Sequence, residues 1–137
     1  MISNELLFKT ASSQLSASVL FSGFVRENQR RKLLNRADVF VMPSVSEPFG
    51  LVAMEAAQRH TPVIVSKSSG VGEVLAGAQI IDFWDIKKMA QTIANLLDNK
   101  DYSDSIVTKQ LKSIDSQTWK ISAEKVKQIY QKIFLGR

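Results

Sequence analysis

Cysteine is absent from this chain of 137 residues, and histidine occurs once, as His60. The first absence excludes disulfides and thiolate metal sites. The second nearly excludes a histidine-rich metal cluster or a Ser–His–Asp triad, leaving His60 only as a lone acid or base. No apolar run approaches the roughly 20 residues that span a bilayer. Met1–Glu5 shows no basic region leading into an apolar stretch, so no signal peptide is expected and the cytoplasm is the default location. Prolines number three and glycines six, and no repeat, linker or low-complexity tract is visible.

What is present has the composition of an ordinary globular domain, 45% hydrophobic and 23% charged. The length suits a single domain over residues 1–137. A net charge of +5 gathers partly in Arg26, Arg30, Arg31, Lys32 and Arg36. It reads as solvated surface. Nucleic acid is not an expected partner, because basic–aromatic interleaving and a recognisable binding motif are both missing.

Apolar strands alternate with helices along the chain. Residues 4–15 read as a short amphipathic helix, and Val19–Val25 as a buried strand. Helix is expected over Glu27–Arg36, strand over Asp38–Ser44, helix over Phe49–Arg59 and strand over Pro62–Ser66. A turn at Gly70–Glu73 precedes a fourth strand, Gln79–Phe83. Asp85 can cap a helix running through Leu97, residues 101–113 are helical in propensity, and a last helix spans Thr118–Leu135. This last helix gathers Ile121, Val126, Ile129, Tyr130 and Ile133 on one face. The pattern implies an α/β fold: a parallel, Rossmann-like sheet of about four strands flanked by helices.

In such sheets ligands sit outside the C-terminal strand ends. The strand ending at Ser44 opens into the segment Val45–Ala57. Pro48 fixes one dihedral, Gly50 permits close backbone approach, and the amides of Phe49, Gly50 and Leu51 are expected to be unpaired at a helix N-terminus. That suits a phosphate or diphosphate, although every α/β unit needs such a turn. Glu55 falls in a helix that is apolar nearly all round, where a carboxylate needs a partner. It lies about 7.5 Å along the helix from Gly50, which suits ribose hydroxyls. Glu47, in the preceding loop, is either solvated or part of the same site.

The run Glu47-Pro48-Phe49-Gly50-Leu51-Val52-Ala53-Met54-Glu55-Ala56 resembles the signature of the group-1 family of retaining glycosyltransferases, which have the GT-B architecture. Val19–Val25, Ala37–Ser44, Thr61–Ile64 and Thr118-Trp119 with Tyr130 are similar to further family motifs, in order. The resemblance implies a partial donor domain that binds a nucleoside-diphosphate sugar, UDP- or GDP-linked, and transfers a hexose-type sugar with retention, without cofactor or obligatory metal. It implies that Glu47 contacts the sugar and acts in catalysis, and that the backbone of Phe49, Gly50, Leu51 and Val52 holds sugar hydroxyls and diphosphate. Glu55 would bind the ribose, and Val25 would lie against the base.

The departures from the family bear equally on function. The acceptor-binding domain is absent, as are the first two donor-domain strands with their diphosphate-gripping Arg and Lys; neither Arg26 nor Lys67 is assigned in their place. His60 stands where the family often has glycine, and reads as structural; Gly72 stands where it often has proline. The enzyme assignment therefore stays open. One reading is a donor half, inactive until a separate acceptor-domain chain joins it, with peripheral membrane contact only in the full enzyme. The alternative is a non-catalytic remnant that binds nucleotide sugar or assists assembly. A strand bereft of its usual neighbours also predicts self-association through an exposed sheet edge.

Overall fold

The computed structural model describes residues 20–135, and the chain divides into two units, 1–30 and 31–137. The expected helix over residues 4–15 lies outside the described residues, as does Val19.

In the first unit, Leu20–Val25, the described part of the strand expected over Val19–Val25, is not a strand. Composition there favours a strand, but a strand exists only through its ladder, and these residues make none. Leu20 and Phe24 are instead exposed, Phe24 at 91%. Gly23 adopts a φ of 61°. Helix α1 then begins at Glu27 and runs to Leu34.

The second unit is built on three parallel strands: β1 (Phe40–Met42), β2 (Val63–Ser66) and β3 (Gln79–Ile81), in the order β1-β2-β3. The expected sheet of about four strands is thus three among the described residues. Phe40 pairs with Val63, and Ile64 with Gln79. Every residue of β2 is buried, as a central strand covered on both faces must be.

Alternation along the strands sorts the core into two layers. Val63 and Val65, with Phe40 and Met42, pack with helix α2 (Leu51–Ala57) and the 3-10 turn Gly70–Glu73. Ile64 and Val41 face the other way, toward helices α3 (Ile86–Asp98) and α4 (Lys100–Asp115) through Leu96 and Ile106. Asp85 caps α3 as its position predicts, its carboxylate accepting from the Lys88 amide at 3.1 Å. Asn99 caps α4 in the same manner, accepting from Tyr102 at 2.9 Å.

Helix α2 departs from expectation in being buried on one face only. Ala53, Ala56 and Ala57 are fully covered, while Leu51 is 67% exposed. At 100° per residue those three alanines share a stripe, and their small side chains let the helix lie close to the sheet. The turn that follows the helix ends at His60, whose left-handed φ of 63° places it in the conformation usually given to glycine. Beside it, the buried Thr61 hydroxyl lies 3.1 Å from the Leu34 carbonyl and 3.3 Å from that of Ala37.

Helix α5 (Trp119–Leu135) forms where expected, yet none of its residues is buried. Ile129 and Ile133, on the anticipated face, are more than half exposed. Amphipathic spacing says which face seeks cover, and it is silent on whether neighbouring residues supply it. No helix among the described residues is long and apolar enough to cross a membrane.

Candidate functional site

Parallel pairing brings the C-terminal ends of β1, β2 and β3 to one edge, at Met42, Ser66 and Ile81. Loops leaving that edge carry the polar residues. The loop after β1 is joined to the loop after β2 by a second, irregular ladder. Glu47 and Ser69 form an isolated parallel bridge. The Gly70 amide donates to the Glu47 carbonyl at 3.1 Å, and the Val71 amide donates to the Phe49 carbonyl at 2.6 Å.

Two glycines make this junction sterically feasible. A Cβ on Gly70 would collide with the Pro48 carbonyl. Gly50, the residue before α2, has a φ of 101°, and a Cβ there would come within 2.7 Å of the Met42 side chain. Both positions need a residue without a side chain.

Beneath the loops lies a cluster of hydroxyls that sequence reasoning missed. The fully buried Ser66 hydroxyl donates to the Ser44 carbonyl at 2.6 Å. It also lies 3.1 Å from Ser68 Oγ and 2.9 Å from Ser69 Oγ. The Ser68 hydroxyl reaches the same Ser44 carbonyl at 2.9 Å. The available signal was small polar residues directly after an apolar strand, where parallel sheets place their ligands.

Between the two loops opens a cleft of about 270 Å³. Ser46, Glu47 and Pro48 line one side; Lys67, Ser68, Ser69, Gly70 and Glu73 line the rest. The lining is chiefly polar, with charged side chains of both signs, and can hold a hydrogen-bonding, charged ligand better than an apolar one.

The predicted residues are distributed as follows. Glu47 is half-buried and lines the cleft. Its Oε1 accepts from the Phe49 amide at 3.2 Å, so that amide, expected to be unpaired, is occupied by the chain's own carboxylate. Gly50, Leu51 and Val52 open α2, where the first amides of any helix have no partner within the helix. Glu55 sits on the second turn of α2 and is half-buried, not in bulk solvent. Val25 is half-buried in the coil before α1, in the first unit. Among the described residues no group of three or more His, Asp or Glu side chains could hold a metal ion.

Comparison with known proteins bears on this arrangement. The family model for glycosyl transferases group 1 matches residues 3–112. An uncharacterized glycosyltransferase of Methanocaldococcus jannaschii is 34% identical over 118 residues, covering 82% of this chain and 30% of that protein. A D-inositol 3-phosphate glycosyltransferase of Corynebacterium diphtheriae is 31% identical over 97 residues, covering 69% of this chain and 23% of its own length. A glycogen synthase of Mycobacterium tuberculosis is 46% identical over 59 residues, 43% of this chain and 14% of that one. The chain thus spans less than a third of these curated relatives. Among solved structures, the sucrose-phosphate synthase of Thermosynechococcus elongatus superposes with a TM-score of 0.77 at 24% identity, covering 98% of this chain and 35% of that one. That likeness speaks for the fold, a GT-B-type α/β arrangement. With the family model matched over most of its length, the chain belongs to the group 1 glycosyltransferases.

Proposed function

We propose that this chain is the donor-binding part of a retaining glycosyltransferase. It takes a uridine- or guanosine-diphosphate sugar, needs no cofactor, and serves transfer of a hexose-type sugar to an acceptor; by itself it is inactive. The observation that carries this reading is the cleft at the strand tips, with Glu47 on its wall and the start of α2 directly after.

In this reading Glu47 meets the donor sugar and stabilises the positive charge that develops at the anomeric carbon during transfer. The backbone of Phe49, Gly50, Leu51 and Val52 holds sugar hydroxyls and the diphosphate, and oriented amides stabilise the charge on the leaving diphosphate. Glu55 accepts hydrogen bonds from the ribose. The setting is cytoplasmic, with membrane contact only through the full enzyme.

Calorimetry of the chain against uridine, guanosine and adenosine diphosphates and their sugars tests the reading. Saturable binding of one nucleotide sugar, preferred over its bare nucleotide, is the expected result. Binding of none overturns the donor assignment and leaves a non-catalytic assembly remnant as the alternative.

A further inference from the structure

Three charged side chains line the cleft: the carboxylates of Glu47 and Glu73 and the ammonium of Lys67. Without Lys67 the charged side chains of the lining are all acidic. Backbone amides contribute only partial charges, so a diphosphate entering this cleft would face two carboxylates with no full positive charge among the lining residues.

Lys67 follows β2 directly, and its Nζ lies 2.8 Å from Asp82 Oδ2, one residue beyond β3. Its side chain is 63% exposed, and a pair so open to water contributes little to stability. The contact holds the Lys67 ammonium beside Asp82, while Lys67 itself lines the cleft. An ammonium has three donors and Asp82 takes one, leaving two for a ligand.

We propose that Lys67 is the cation that admits the anionic portion of the ligand, the diphosphate, and that Asp82 is a positioning residue for its ammonium. The assignment rests on the donor-binding reading above. It places the compensating charge on the loop after β2, fifteen residues before its holder.

The test titrates inorganic pyrophosphate, UDP, GDP and the nucleosides uridine and guanosine into wild type, K67M, K67R and D82N, each at two salt concentrations. K67M is expected to bind pyrophosphate and the preferred diphosphate about tenfold more weakly, the effect of losing one charge-assisted contact. Its salt dependence becomes shallower, its nucleoside binding and melting temperature stay those of wild type, and K67R retains most of the affinity. D82N loses less than K67M. If wild type binds the diphosphates and K67M matches it in affinity and salt dependence, the Lys67 assignment is overturned while the donor reading stands. K67R losing as much as K67M overturns it equally, and D82N losing more than K67M removes the positioning role. If wild type binds neither pyrophosphate nor any diphosphate, the donor reading fails and this assignment falls with it.

Discussion

Gly70 lies against the carbonyl of Pro48 so closely that a methyl group has no room between them. The contact joins the loop after β1 to the loop after β2, and the Gly70 amide secures it by donating to Glu47 at 3.1 Å. Gly70→Ala should therefore push the two loops apart and destabilise the domain by about 2 kcal/mol, the range for forced overpacking. Urea unfolding measures it, and a change near zero would show that the loops yield freely.

Gln110 ties α4 to the sheet from a fully buried position. In the amide orientation that satisfies both groups, its oxygen accepts from the Val63 amide at 3.0 Å and its nitrogen donates to the Thr61 carbonyl at 3.3 Å. Gln110→Leu leaves both backbone groups buried and unpaired, a loss of about 2–4 kcal/mol. A denaturation midpoint equal to wild type would refute this.

His60 carries the left-handed φ of 63° in the turn after α2, is exposed, and uses its amide to donate to Ala57 at 3.1 Å. Its imidazole has no part in the cleft. Glycine there removes the steric cost of the conformation while widening the unfolded ensemble, for a net stabilisation of about 0.5–1 kcal/mol. Thermal melting of His60→Gly should show a higher midpoint, with ligand binding unchanged.

The two glutamates of the signature should separate in calorimetry. Glu55→Ala is expected to weaken nucleotide binding about tenfold, the scale of lost hydrogen bonds to a charged group. Glu47→Ala should reduce the preference for nucleotide sugar over bare nucleotide while sparing the nucleotide itself. Two variants that bind a nucleotide sugar as wild type does would move the site elsewhere.

Strand β1 pairs on one side with β2 and has no second strand partner among the described residues. An edge of this kind offers unpaired backbone groups to another chain. Concentration-dependent self-association is the expected outcome of equilibrium sedimentation. A monomer persisting at high concentration would remove the edge from consideration.

The parallel α/β class, the capping of α3 by Asp85 and the family signature from Glu47 to Ala56 were all legible in the order of residues. The first two depend on short-range physics, periodicity and a side chain reaching its own backbone, and the third on resemblance. Tertiary structure decided the rest. It denied Leu20–Val25 a ladder and turned one face of α2 outward. It also set Lys67 beside Asp82 and Gln110 beside Val63. Those pairings join positions far apart in the chain, and strand register and helix packing bring them together. A strand, a buried face or a lined cleft exists only once its neighbours are in place, and one-dimensional spacing does not carry that information.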